Sequence, residues 1–174
     1  MMERLGPGLL MLLVALVLMA LVWVGWRGRL KRQAGIAAPV QVPADLGAER
    51  YRCSGQYVVT TTAGDWLDRI AVHGLGVRTG ADAIVTDAGV EFDRAGADAV
   101  FVPREDLDGV RLESGMAGKF VEKDGLVVLG WNLGGTAVDT GFRPRYAEEK
   151  RALVAAIEDL MGSAASNGSG SGKE

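Results

Sequence analysis

The sequence predicts one membrane-spanning helix followed by a mainly-β domain, a small antiparallel barrel of about seven strands capped by a C-terminal helix. Three observations predict this fold class: a long apolar run near the N-terminus, many short apolar segments separated by glycine and aspartate, and an amphipathic segment near the C-terminus. The chain has 174 residues, of which 48% are hydrophobic. This length fits one compact domain with appendages.

The long apolar run occupies residues 9–26 and contains no charged side chain. As a helix it rises about 27 Å, close to the hydrocarbon thickness of a bilayer. A cleaved signal peptide has a cleavage site of small residues after its apolar region. This run is followed instead by four cations: Arg27, Arg29, Lys31 and Arg32. The run is therefore interpreted as an uncleaved anchor in the cell (inner or plasma) membrane. The positive-inside rule places residues 1–8 outside and the C-terminal side in the cytoplasm.

The charges divide the chain into two unlike parts. Residues 1–32 hold five basic residues and one acidic residue, whereas residues 33–174 hold 14 basic and 21 acidic residues, a net charge of −7. An acidic domain is poorly suited to nucleic acid, whose binding depends on neutralising phosphates. The expected partners are the lipid bilayer, which meets the cationic flank, and a partner protein of unknown identity.

Composition sets the expected boundaries. Residues 27–50 are a basic collar and a stalk in which Pro39 and Pro43 favour extended backbone, and residues 162–174 are a Gly/Ser-rich tail expected to be disordered. The domain between them, residues 51–161, is predicted to contain short strands at 55–62, 66–72, 83–86, 89–93, 99–102, 109–113, 120–122, 126–131 and 135–140. Residues 126–129 are continuously apolar, which is typical of a strand covered on both faces.

The last element is predicted to be a helix over residues 146–161. Tyr146, Leu153, Ile157 and Leu160 recur at helical spacing, and Gly162 stands where a C-terminal cap belongs. An apolar stripe of this kind needs a surface to cover, and the open end of a small barrel provides one.

No residue pattern indicates catalysis, a cofactor or a metal, and we expect that the chain is not an enzyme. Cys53 is the only cysteine and His73 the only histidine, so a cysteine-based metal cluster is excluded. Phosphate-loop, nucleophile-elbow and zinc-protease motifs do not occur in the sequence. A pocket that joined His73 to two carboxylates would reopen the question.

Three short motifs carry a resemblance to a known family. They are residues 73–78 (HGLGVR), residues 115–119 (GMAGK) and the stretch from Trp131 through residues 139–143 (DTGFR). As a set they resemble an actinobacterial family of small single-pass membrane proteins with a pleckstrin-homology-like (PH-like) domain, over about residues 1–161. The resemblance implies a scaffold that binds a lipid headgroup, a peptide or a protein, without assigning a site.

Two features bear on anion binding. The first hairpin loop, residues 62–65, has no Lys or Arg, which disfavours the inositol-phosphate binding known from eukaryotic PH domains. The loop at residues 115–119 instead combines exposed backbone N–H groups with a cation. A possible binding rim is therefore Lys119, Lys123, Arg143 and Arg145, with Trp131 either as an aromatic contact or, as is commoner for this residue type, as an amphipathic core residue.

Three functions remain open at this stage. The first is a single-pass, membrane-anchored interaction or scaffold module at the cytoplasmic face. The second is a module that binds an anion or a lipid headgroup through the loop at residues 115–119. The third is a transporter-accessory subunit or an enzyme.

Overall fold

The computed structural model describes residues 5–116, 119–120 and 125–168 and divides into two compact units, Met1–Gly35 and Ile36–Glu174. The first unit contains α1, Leu5–Arg32. Within it Gly8–Gly28 has a mean hydropathy of 2.7 and is long and apolar enough to cross a membrane. None of this stretch is buried in protein, so its apolar side chains have no cover within the described residues.

The second unit is built on a seven-stranded antiparallel sheet. Its strands run in the order β4-β3-β2-β1-β9-β8-β5, and β6 and β7 pair with each other as a separate hairpin. A single turn of 3-10 helix, Arg104–Asp106, links β4 to β5. The strands are β1 (Glu49–Thr62), β2 (Thr79–Thr86), β3 (Gly89–Arg94), β4 (Val100–Pro103), β5 (Leu107–Glu113), β6 (Gly115–Met116), β7 (Lys119–Phe120), β8 (Leu126–Leu133) and β9 (Thr136–Pro144).

The sheet bends around one core. Val102 of β4 and Leu129 of β8 belong to the same buried cluster as Tyr57 of β1. This requires a bend, because β4 is one edge strand of the sheet and β8 lies next to β5, the other edge strand. The continuous run Leu126–Leu129 is buried on both faces, as predicted: Val127 and Leu129 face this core, while Leu126 and Val128 pack on the outer face with Val59 and Met116. The outer face is therefore partly apolar as well.

A C-terminal helix, α2 (Glu149–Gly168), packs its apolar stripe onto the core. Leu153, Ile157 and Leu160 are each at most 1% exposed, which confirms the predicted capping face. Both predicted ends are wrong. Tyr146 is exposed and precedes the helix, in a turn where its backbone N–H donates to Glu149 Oε2. At the other end the helix continues through Gly162 to Gly168.

The predicted strand at residues 66–72 is wrong. Asp65 Oδ1 accepts hydrogen bonds from the backbone N–H groups of Leu67 and Asp68, which folds the segment into turns. A single bridge between Thr61 and Arg69 is the β-pairing described for this segment. As a result Trp66 and Leu67 are exposed rather than aligned in the sheet.

Other local predictions have mixed outcomes. The turn predicted at residues 87–89 connects β2 to β3, and Gly89 adopts a φ of +157° there. In the segment predicted as a strand at 120–122, Phe120 ends β7 and residues 121–124 lie outside the described residues. For the tail, residues 162–168 are helical, and the disorder predicted for residues 169–174 stays a prediction.

Residues 36–48, here called the N-terminal strap, belong to the domain rather than to a stalk. Ile36 packs against the core, and its carbonyl accepts a hydrogen bond from His73 Nε2 at 2.9 Å. At the other end Ala48 and Asp87 exchange hydrogen bonds, the Asp87 carboxylate accepting from the Ala48 N–H and the Asp87 N–H donating to the Ala48 carbonyl. Residues 33–35 are then all that separates α1 from the domain along the chain.

Truncating the Ile36 side chain tests whether the N-terminal strap stabilises the domain. Ile36→Ala is expected to lower the free energy of unfolding of the domain by about 1–2 kcal/mol, because it removes apolar contacts with the core. Truncating a fully buried Ile lowers it by more, and Ile36 is only half-buried. Val40→Ala, at an exposed strap position, is the matched control and is expected to change it by less than about 0.5 kcal/mol. Equal thermal melts of both variants and wild type would show that the strap is merely a linker.

Candidate functional site

A cleft of about 430 Å³ opens on the outer face of the sheet. Val128 and Thr61 form part of its floor, and Trp66 and Met116 stand on its walls. Thr61 is fully buried, and its hydroxyl has no hydrogen-bond partner among the described residues. This outer cleft is lined by Thr61, Gly64, Trp66, Arg111, Glu113, Ser114, Gly115, Met116, Val128 and Asp139.

An ion pair crosses the outer cleft. Arg111 donates from both terminal nitrogens to Asp139, at 3.1 and 2.8 Å, and from Nε to Glu113 Oε1 at 3.0 Å. These carboxylates, Asp139 first, raise the pKa of Arg111 above its usual value. The Asp139 side chain is 9% exposed, while those of Arg111 and Glu113 are 47% and 45% exposed. The described lining residues of the cleft therefore include one cation, one buried carboxylate and one accessible carboxylate.

The shape of the outer cleft depends on a glycine. A Cβ added to Gly141 would lie 2.6 Å from Met116 Sδ. Carbon and sulfur atoms that are not bonded to each other do not approach so closely. Met116 therefore packs on the sheet in this position because residue 141 has no side chain. Met116 is 4% exposed in this position and links the β6–β7 hairpin to the sheet.

A second cleft, of about 350 Å³, is basic. Arg143 and Arg145 follow each other around the end of β9, and Lys150 comes from the first turn of α2. Gly55 is required beside them, since a Cβ there would lie 2.3 Å from the Arg143 carbonyl oxygen. This basic cleft is lined by Ser54, Gly55, Gln56, Gly125, Arg143, Pro144, Arg145, Ala147 and Lys150, with no acidic residue among these described lining residues.

The structure brings together part of the predicted rim. Arg143 and Arg145 share the basic cleft, whereas Trp131 does not belong to it. Trp131 is 2% exposed and its Nε1 donates to Thr140 Oγ1 at 2.9 Å, so the prediction of an accessible aromatic contact is wrong. Lys123 lies outside the described residues, and for Lys119 the backbone is described as part of β7.

The residues weighed for chemistry are held in structural contacts. The Cys53 thiol is buried, and burial raises its pKa to about 12, with Glu149 and Asp82 adding to the shift, so little reactive thiolate forms at neutral pH. His73, with a left-handed φ of +55°, donates to the strap carbonyl and lines a cavity with Asp98 and Arg94 rather than with two carboxylates. The described residues include no group of three or more potential metal ligands.

The missed site residues come from distant parts of the sequence. Arg111 and Asp139 are separated by 28 positions and meet because β5 and β9 both flank β8. Lys150 is not part of the predicted rim, and it lines the basic cleft from the first turn of α2, which follows the end of β9 in the chain. Trp66 was missed as a site residue because residues 66–72 are predicted to form a strand. The Asp-Trp-Leu-Asp sequence after Gly64 is the signal that indicates a turn instead.

A bent antiparallel sheet of seven strands with a C-terminal helix across its core defines a PH-like domain, a fold that generally serves as a binding module rather than as an enzyme. Residues 36–158 match the family model described as Bacterial PH domain-like. The chain belongs to this family. The match begins at Ile36, the first residue of the strap, in agreement with the structural boundary of the second unit.

Solved structures of low sequence identity are similar as well. A chain of the 8S snRNP assembly intermediate has a TM-score of 0.48 at 7% identity, and the match covers 72% of this chain and 89% of that one. Vav1 in complex with an allosteric inhibitor has a TM-score of 0.41 at 17% identity, with 79% and 32% covered. The apo activated truncation of Vav1 has 0.42 at 16%, with the same coverage. Among curated proteins none matches significantly in sequence.

The ion pair in the outer cleft is open to a direct measurement. A double-mutant cycle with Arg111→Met and Asp139→Asn is expected to give a coupling energy of about 1–2 kcal/mol, because the Asp139 carboxylate is shielded from water while Arg111 is half-exposed. The pair Arg52–Glu49, exposed on both sides, is the control and should couple by about 0.5 kcal/mol or less in denaturant melts. Equal coupling for both pairs would contradict this account of the cleft.

Proposed function

We propose that the chain is a single-pass, membrane-anchored binding module whose PH-like domain holds a partner protein at the cytoplasmic face. The observation that carries this proposal is a PH-like binding domain that follows a membrane-length apolar helix after three residues of chain. In this proposal α1 crosses the bilayer once, and residues 1–8 lie outside. The domain acts by binding and by position, not by catalysis.

The charges support this orientation. Arg27, Arg29, Lys31 and Arg32 end the apolar helix, and residues before it supply Arg4 with Glu3 beside it. Cationic flanks stay on the cytoplasmic side, where each cation near an anionic leaflet contributes about 1 kcal/mol.

Membrane topology is the first test. In an intact bacterial cell, green fluorescent protein fused after Glu174 is expected to fluoresce, while alkaline phosphatase fused at the same position stays inactive. Replacing Arg27, Arg29, Lys31 and Arg32 together by Glu is the orientation control and should invert or weaken the pattern. Active phosphatase on the wild-type chain would overturn the cytoplasmic placement, and fusions recovered in the soluble fraction would overturn the anchor.

Partner binding is the second test. Chemical crosslinking in native membranes, followed by purification of the full chain, is expected to yield a defined protein in stoichiometric amount. The control is the same anchor, residues 1–35, fused to an unrelated soluble domain, which keeps the membrane location and removes the PH-like domain. Recovery of equal material with both baits would contradict a partner that binds the domain.

A second function is favoured by the basic cleft, namely binding of an anion or a lipid headgroup. Arg143, Arg145 and Lys150 converge on one cavity, and the first turn of α2 adds the positive end of a helix. Phosphate groups satisfy such a set of donors. In this reading Lys119 and Lys123 extend the rim, as the sequence predicts, and Gly125 lines the cleft.

Charge reversal tests the basic cleft. The full chain in phosphatidylcholine nanodiscs is mixed with vesicles that contain phosphatidylglycerol, and separately with inorganic phosphate. Arg143→Glu with Arg145→Glu is expected to weaken binding about tenfold or more without a change in melting temperature, whereas Arg78→Glu, an exposed cation elsewhere, leaves binding unchanged. Vesicle binding without phosphate binding indicates a lipid surface, and no binding of either probe removes this second function.

A further inference from the structure

We infer that the outer cleft is the docking site for a basic, apolar-centred segment of the partner protein, with an aliphatic or aromatic side chain inside the cleft and a flanking Lys or Arg against Glu113. This inference rests on the proposed function, since it assigns a surface and a ligand chemistry to the partner. The basic cleft, with its opposite charge, is a different site.

The shape of the outer cleft fits an inserted side chain. Its volume of about 430 Å³ lies within the range of protein ligand pockets, and its lining is mainly apolar. Val128 provides apolar contact in the floor and Met116 in the wall, and Trp66 provides an aromatic wall that is 47% exposed. Tryptophan is enriched in the energetically dominant centres of protein interfaces, since it buries a large rigid surface.

The aromatic wall is held in place before a ligand arrives. Asp65 Oδ1 accepts from the N–H groups of Leu67 and Asp68, and Thr62 Oγ1 donates to Asp68 at 2.8 Å. These bonds fix the turn that carries Trp66 and the neighbouring Leu67, which is 59% exposed. A fixed apolar projection loses little conformational entropy on binding, so its exposure in the free domain favours a docking role.

The charges of the outer cleft select the sign of the ligand. Arg111 is engaged by Asp139 in a bidentate pair and by Glu113 Oε1 through Nε, so among the described lining residues the half-exposed Glu113 carboxylate carries the excess negative charge. Among the described lining residues, two carboxylates stand against one guanidinium, which gives a net negative charge, in a chain whose residues 33–174 are themselves acidic. A cation beside the inserted apolar group therefore improves complementarity, whereas an anion meets repulsion.

The test is a selection from a random peptide display library against the full chain in phosphatidylcholine nanodiscs. The expected consensus is an apolar residue flanked by Lys or Arg. A synthetic peptide of that consensus is then titrated by fluorescence anisotropy. Trp66→Ala and Glu113→Lys are each expected to weaken binding about tenfold, which corresponds to about 1.4 kcal/mol. Replacing the peptide's cation by Glu should weaken binding to wild type and restore binding to Glu113→Lys.

Matched controls separate this surface from others on the domain. Tyr146→Ala removes an aromatic side chain that is exposed to a similar extent as Trp66, and Glu158→Lys reverses an exposed charge on α2; both are expected to leave the affinity unchanged. All variants must melt as wild type does. An acidic consensus, no consensus, or a peptide insensitive to both Trp66→Ala and Glu113→Lys would overturn the inference. A partner that still crosslinks in membranes to Trp66→Ala would leave the binding module in place and move its site elsewhere.

Discussion

A chain of four buried hydrogen bonds joins the elements on which the domain depends. Trp131 Nε1 can only donate, so Thr140 Oγ1 accepts from it. Thr140 then donates to Thr60, Thr60 to Tyr57, and Tyr57 to the Leu75 carbonyl, which can only accept. Each hydroxyl thus donates once and accepts once. These four hydrogen bonds, which all run in one direction, hold β8, β9, β1 and the β1–β2 connection together. Removing one partner would leave an unpaired polar group in the core, which is energetically unfavourable.

This network lies in a core that is filled by contacting side chains. Phe92 packs against the rings of Tyr57 and Phe142, and the buried guanidinium of Arg94 lies over the Tyr57 ring while donating to two backbone carbonyls. The space inside the sheet is therefore occupied by side chains that satisfy one another. The two clefts described above lie instead on the outer face, where Gly141 places no side chain against Met116, and at the junction of β9 with α2, where Gly55 places none against the Arg143 carbonyl.

Local patterns predicted the elements whose residues determine their own conformation. The run Leu126–Leu129 was recognisable as a doubly covered strand, and the spacing of Leu153, Ile157 and Leu160 as a capping face. The strap was not predictable, because Ile36 is anchored by His73, which is 37 positions away. The strand wrongly assigned around Trp66 has β-favouring residues, and the side chain of Asp65 overrides that preference. Of the candidate sites, Arg143 and Arg145 could be found as neighbours in sequence, whereas Arg111 and Asp139 meet only through strand order.

The two clefts differ in the sign of the ligand that they favour, and this difference separates their roles. The outer cleft presents Glu113 beside apolar walls, and the basic cleft presents three cations with a mainly polar lining. Both are formed partly by β1 and β9, yet on different parts of these strands: Thr61 and Asp139 belong to the outer cleft, and Gly55 and Arg143 to the basic one. Under the two proposals, a partner with a basic segment is disfavoured in the second cleft and a phosphate in the first. The proposed protein site and the proposed anion site are therefore separate surfaces that favour ligands of opposite charge.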